Sequence, residues 1–248
     1  IKLVLPQAII FENVHGFTVN FKGKKGTKQY SSYVERALKR LGYRTMHQIV
    51  DMSEYGVPQN RKRFILVAMK DHSPRKVFDV LNRNRKSFCE SKGITCKTTV
   101  YEAISDLEKV HGTRPSPDTK GFQAGIYGPI QSGYQKLMRQ GVESKTDEVD
   151  SHRFVNHRKD TVALHNDLLL RAPAGKRITP KDNIVSNLNR RGVTVLNRDA
   201  QAPTITSIPD EIVHYAEPRI LTVREHARIQ SFCLLYTSPS PRDISGSR

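Results

Sequence analysis

The first 70 residues alternate short apolar runs with polar breaks in an order that few architectures other than a mixed α/β one accommodate. Leu3-Val4-Leu5, Pro6 and then Ala8-Ile9-Ile10-Phe11 form a continuous apolar run that closes on a polar cluster, the pattern of a buried parallel strand. In open α/β sheets functional side chains gather just past the carboxyl ends of such strands, a place taken here by Glu12-Asn13-Val14 and Gly16-Phe17. Val34, Ala37, Leu38 and Leu41 then recur at helical spacing, and Gly42 supplies a stop. Residues 43–51 read as a second strand, and Phe64-Ile65-Leu66-Val67-Ala68 as a third, introduced by the polar stretch Pro58 to Arg63. Strand, helix, strand, loop, strand predicts an α/β fold.

From residue 71 to 217 the periodicity fades, and glycine, serine, asparagine and proline become frequent. The expectation there is a smaller, loop-rich or partly disordered unit. Thr222-Val223-Arg224-Glu225 is a capping-box pattern and predicts a helix running through Phe232. Residues 234–248, with the string LYTSPSPRD, resemble translated adapter sequence and are set apart from the fold. Because residue 1 is isoleucine, a start upstream is expected. No apolar run is long enough to cross a bilayer, and no signal peptide opens the chain.

Charge narrows the partners. The 248 residues carry 41 Lys+Arg against 24 Asp+Glu, a net charge of +17. Residues 1–70 hold 13 basic and 4 acidic side chains, so more than half of the excess lies in less than a third of the chain. That asymmetry favours a polyanion such as nucleic acid over a merely solvated basic surface. The basic loop Lys22 to Lys28 could touch a phosphate backbone or simply be solvated. Cys89, Cys96 and Cys233 have no metal-ligand spacing, and their odd number suggests no disulfide framework; a reducing compartment is expected and no metal is called for.

Three separated blocks carry the chemistry. The first runs from Pro6 to Phe17 and places the carboxylate of Glu12 at a strand end, where a pocket could raise its pKa and let it donate a proton. Taken alone, Glu12 is more simply an ordinary loop glutamate. The second block, Tyr55 to Arg63, contains Gln59, Arg61 and Arg63. At strand spacing the two arginines share a face suited to a phosphate, a carboxylate or a base carbonyl, or form a solvent-facing edge. The third, Pro218 to Phe232, contains Arg219, Arg224, Glu225 and Arg228 and reads by itself as an amphipathic helix.

In series, these blocks resemble motifs VI, VIII and IX of the DNA cytosine-C5 methyltransferase family, and Ala202-Pro203-Thr204-Ile205-Thr206 resembles the lead-in to the last. The resemblance spans residues 1 to about 233. It implies the C-terminal part of a Rossmann-like class I methyltransferase domain (residues 1–70), a target-recognition domain (71–217), the motif IX helix (218–233) and the adapter-like tail (234–248). It also implies S-adenosyl-L-methionine as methyl donor, duplex DNA as partner and a cytosine flipped out of the helix. A cysteine attacks C6 of that base and makes C5 nucleophilic. On this resemblance Glu12 engages N3 and the exocyclic amine, Arg63 holds O2, and Arg61 orders the site or binds phosphate. Asn13 and Gln59 would be structural or stand behind the reacting groups, while Arg219, Arg224, Glu225 and Arg228 would support the recognition domain.

The family's glycine-rich cofactor loop, Pro-Cys nucleophile and last motif have no counterpart here, so a chain truncated at both ends and inactive alone is expected. A bacterial or phage-type monomer is the implied parent, in a restriction-modification system or as an orphan modifier. Its expected place is intracellular, cytoplasmic or nucleoid-associated, or nuclear if the source is eukaryotic. Two other readings remain. A tRNA cytosine methyltransferase shares the motifs, although the long 71–217 segment argues for DNA. A non-catalytic DNA-binding remnant would keep the scaffold, although it has no need of a carboxylate facing a base. No base-reading residue can be named within 71–217.

Overall fold

The computed structural model describes residues 1–23, 26–141, 148–186, 188, 192–206 and 208–233. Lys24 and Lys25 of the basic loop and the 234–248 tail lie outside the described residues. Strand β1 (Ala8–Val14) leads through a 3-10 turn to a short hairpin, β2 (Phe21–Gly23) and β3 (Gly26–Lys28). Helix α1 (Tyr30–Arg40) follows, then β4 (Arg44–Asp51) and β5 (Lys62–Met69).

β5 is central in a three-stranded sheet of order β1-β5-β4, and both of its neighbours run antiparallel to it. The continuous apolar stretch seen in the sequence is this central strand: Phe64, Leu66, Val67 and Ala68 are buried. Phe64, Leu66 and Ala68 pack with Leu38 and Tyr43 under α1, joined by Ile9, Phe11, Phe17, Val34 and Leu41. The face predicted for α1 is therefore the face that packs. Gly42, at φ 86°, ends the helix: its N–H donates to Lys39 and the Tyr43 N–H to Leu38, both backbone carbonyls. That closing pattern needs a left-handed residue, which glycine adopts without a Cβ penalty.

The expectation of a buried parallel first strand is corrected. β1 is antiparallel and lies at the sheet edge, with burial alternating along it; Ile10 is 73% exposed, and Leu3 to Leu5 precede the strand in an exposed turn. Apolar side chains on both faces read as burial on both faces, yet only the Ile9 and Phe11 face meets the α1 core.

The region expected to be loop-rich has mostly short elements, yet it holds one long helix that the sequence did not announce. It opens with the longest helix among the described residues, α2 (Arg75–Ser91). α2 buries only Phe78 and Cys89 among many charges, so its apolar period is faint in the sequence. Then come α3 (Val100–Ile104), β6 (Thr113–Pro115), β7 (Gln123–Ile126), α4 (Gly133–Met138), β8 (Glu148–Arg153), α5 (Lys159–Arg171), β9 (Arg177–Ile178), β10 (Val193–Val195), β11 (Ile212–Val213) and α6 (Val223–Ile229). β6-β7-β8 form one sheet and β11-β10-β9 another, with β10 and β11 parallel.

The main core of this half joins Val100, Ile104, Leu107, Tyr134 and Val149 to Leu221 and Ile229, so the last helix packs into the same interior as the segments before it. A second cluster gathers Leu168, Ile178, Val193, Val195 and Val213. α6 begins on the predicted capping box and ends at Ile229, short of Phe232, where Ser231 adopts φ 63°.

Candidate active site

β1 and β5 set the site by register. Val14 pairs with Arg63 and Glu12 with Ile65, so Glu12 and Arg63 rise from the same sheet face, opposite α1. The Arg63 Nε lies 2.8 Å from Glu12 Oε1. The Arg63 side chain is 12% exposed and that of Glu12 54%, so a largely covered guanidinium holds an accessible carboxylate. A second Arg63 nitrogen, Nη1, donates to the Lys62 carbonyl at 2.9 Å, which fixes the plane of the group.

Arg61 immediately precedes β5, and its carbonyl accepts from the Met52 N–H at 3.0 Å. Its guanidinium is held below its ordinary pKa by burial first and then by the like charge of Arg63, with Glu12 acting in the opposite sense. The structure thus brings the three expected residues into one electrostatic group.

The surroundings come from segments far apart in sequence. A cleft of about 600 Å³ is lined by Val14, His15, Gly16, Asp51, Asn60, Lys62, Arg63 and Thr204. The Phe17 ring, 5.4 Å from both Phe11 and Phe64, anchors the turn that carries His15 and Gly16. Asp51 accepts from the Ser53 N–H and hydroxyl and caps the next turn.

Thr204 arrives because the stretch around Ala202 pairs with the Gln59 block. The Ala202 N–H donates to Pro58, the Asn60 N–H to Ala202, and the Thr204 hydroxyl to the Asn60 carbonyl at 2.6 Å. Sequence reasoning named both stretches but missed Asp51, Asn60, Lys62 and Thr204 as cleft residues. Adjacency to the two arginines was the available signal for Asn60 and Lys62, and nothing local marked Asp51.

Asn13 turns its Oδ1 back to the Val14 N–H at 2.8 Å, a local backbone contact. Gln59 is fully buried, with its side-chain oxygen and nitrogen unpartnered, and it forms a bridge to Ala202. Neither lines the cleft.

The third block forms a separate buried network. Arg219 clamps Glu225 in a bidentate pair at 2.7 and 2.8 Å, while Glu225 accepts from the Thr222 N–H. Burial alone would push the Glu225 carboxyl upward; Arg219 overrides it and holds the group well below the usual carboxylate range. His152 and His214 flank this carboxylate. Burial lowers each to about 4 against the pull of Glu225, and His152 also shares a hydrogen bond with the Thr222 hydroxyl. Arg224 binds the carboxylate and carbonyl of Asp150, and Arg228 reaches Asp106 and the Ala103 carbonyl. These four residues fasten α6 and its lead-in to the preceding segments and do not enter the cleft.

Among the described residues no cluster of metal-ligating groups occurs, and no helix is long and apolar enough to cross a membrane.

A carboxylate held by an arginine, beside a second arginine and a basic cleft, suits a flat, polar, anion-linked ligand. The chain is 27% identical over 239 residues to the type II methyltransferase M.XorII of Xanthomonas oryzae, covering 92% of this chain and 50% of that one. It is 25% identical to M.BbvI of Brevibacillus brevis, covering 92% and 49%. It therefore spans about half the length of these curated relatives. A crystal structure described as a DNA modification methyltransferase encoded within an E. coli prophage superimposes with a TM-score of 0.53 at 19% identity, covering 92% of this chain and 60% of that one, a likeness of fold. The model of the C-5 cytosine-specific DNA methylase family matches residues 1–243, and the chain belongs to that family.

Proposed function

We propose that this chain is the base-recognising part of an S-adenosylmethionine-dependent DNA cytosine C5-methyltransferase, with Glu12, Arg61 and Arg63 as the residues that touch the target base or its phosphate. The observation that carries this reading is the Glu12–Arg63 pair, with Arg61 coupled to both, and Arg63 lining a cleft beside Lys62. A cytosine taken out of the stack exposes N3, O2 and the exocyclic amine together. Arg63 can keep one nitrogen on Glu12 while presenting another to O2. Glu12, the more exposed partner, then faces N3, where a shared proton makes the ring electrophilic at C6. Arg61 and Lys62 supply positive charge for the flanking phosphate. Asn13 holds the strand end, and Gln59, bridged to Ala202, fixes the arginine segment against that stretch.

The methyl donor is not placed in this cleft. Its sulfonium is cationic, and Lys62 and Arg63 would repel it there. When bound, the donor supplies the methyl group. None of the three cysteines lines the cleft, so the chain by itself is proposed to transfer no methyl group.

Residues 1–70 are read as part of the catalytic Rossmann-like domain, 71–217 as the recognition domain and 218–233 as its support through Arg219, Arg224, Glu225 and Arg228. The partner is duplex DNA, bound by a monomer inside the cell, in a restriction-modification setting like that suggested by the type II relatives.

The decisive experiment uses the full-length parent protein with S-adenosylmethionine and duplex DNA carrying 5-fluorocytosine. A covalent adduct is expected, and Glu12→Ala should slow its formation by about 10²-fold or more, the range for loss of a proton-transfer group. Absence of an adduct with the wild type overturns the enzyme reading in favour of a non-catalytic DNA binder. Adducts formed on tRNA but not on duplex DNA would move the substrate to RNA.

A further inference from the structure

At the end of α2 the chain folds back on itself. Gly93 adopts φ 66°, and the Ile94 N–H returns to the Cys89 carbonyl at 3.0 Å. The returning segment brings Cys96 alongside the helix, with its Sγ 3.9 Å from the carbonyl of Arg85, one helical turn before Cys89 on the same face. That contact sets the Cys96 thiol beside the last turns of α2, where Cys89 lies. Cys89 is buried and Cys96 is partly exposed.

The segment between them is clamped from two sides. The Gly56 N–H donates to the Cys96 carbonyl at 3.0 Å. A Cβ on Gly56 would meet Ile94 at 2.4 Å, and one on Gly133 would meet the Gly93 carbonyl oxygen at 1.7 Å. Such close backbone packing leaves residues 93–96 little room to drift, so the sulfurs are kept together by the fold.

We propose that Cys89 and Cys96 are an oxidative modification site that forms a reversible disulfide, with Cys96 as the thiol that meets a peroxide and Cys89 as the thiol that resolves it. The Cys96 thiolate attacks one oxygen of hydrogen peroxide, the O–O bond breaks and hydroxide leaves, giving a sulfenic acid. The Cys89 sulfur then attacks the Cys96 sulfur. The S–O bond breaks, the Cys89 proton is lost and water departs. Two thiols give up two electrons, and peroxide becomes two waters. Burial, with the neighbouring thiol, lifts Cys89 to about 11, which keeps it protonated and protected from direct oxidation. The partly exposed sulfur therefore reacts first. Through the Gly56–Cys96 hydrogen bond, the new S–S bond pulls on the segment that leads to Arg61 and Arg63.

The test oxidises the purified chain with one equivalent of hydrogen peroxide, alkylates the remaining thiols under denaturing conditions and digests with trypsin without reductant. The expected product links Ser87–Lys92 to Gly93–Lys97, two of the three thiols are lost, and dithiothreitol restores both. Cys233→Ser should leave the link intact. Cys96→Ser, a change at a partly exposed position, should leave Cys89 reduced, and Cys89→Ser should leave a sulfenic acid on Cys96 that dimedone captures. Over-oxidation of Cys96 with Cys89 still free, a disulfide that includes Cys233, or three unreacted thiols each overturns the proposal.

Discussion

Arg228 and Arg63 are both paired arginines, but burial gives the two pairs different consequences. Asp106 is sealed from solvent with Arg228 at 3.2 Å and Arg139 at 3.6 Å, and burial raises its carboxyl against the pull of both arginines. Removing one partner from such a pair strands a buried charge, so Arg228→Ala should cost about 3–5 kcal/mol in urea unfolding. A double variant Arg228→Met with Asp106→Leu should recover most of that loss; a double variant as unstable as the single would refute the account. The Glu12–Arg63 pair has an exposed partner, and such pairs contribute about 0–1 kcal/mol. Arg63→Ala should therefore shift stability little while abolishing adduct formation on 5-fluorocytosine DNA; a large loss of stability would assign Arg63 a structural task instead. Glu12, Arg61 and Arg63 stood out in the sequence as candidates because their block wording is distinctive, and the structure pairs Glu12 with Arg63. Asp51 and Thr204 did not, because what places them at the cleft is pairing with distant strands and no property of their neighbours.

At the scale of elements, α6 meets β8 through a carboxylate set between two neutral histidines. His152 and His214 fall to about 4 in the folded chain from an ordinary value of 6.5. Above pH 6.5 both states are neutral and the histidines cost nothing. Below it the unfolded chain takes up protons first, so stability declines as pH falls from 6.5 and levels off near 4. Each histidine contributes on the order of 3 kcal/mol to that decline. Thermal melts of the wild type should lose Tm steadily between pH 7 and 4, and His152→Gln should flatten the slope; an unchanged slope would show that other groups carry it. The capping box of α6 was readable from four residues, because capping is local chemistry. α2 was not, because most of its apolar side chains stay partly or fully exposed and only Phe78 and Cys89 reach an interior.

For the whole molecule, the net charge of +17 sets long-range behaviour that no single contact controls. If the chain follows DNA phosphates over a recognition-sized surface, affinity for duplex should fall at least about 10³-fold between roughly 50 and 200 mM salt. A nearly flat dependence, measured by fluorescence anisotropy, would exclude a phosphate-tracking surface. The sequence alone determined where α1, β4, β5 and α6 lie, the motif blocks and the net positive charge. Each of these depends on backbone preference and residue type within a few positions, or on a sum over the chain. Only the tertiary structure decided that β1 is an antiparallel edge, that Thr204 bonds a carbonyl 144 residues away at Asn60, and that Glu12 meets Arg63 across β1 and β5. Those outcomes depend on which surfaces bury one another, and apolar and polar side chains permit more than one pairing until the whole core closes.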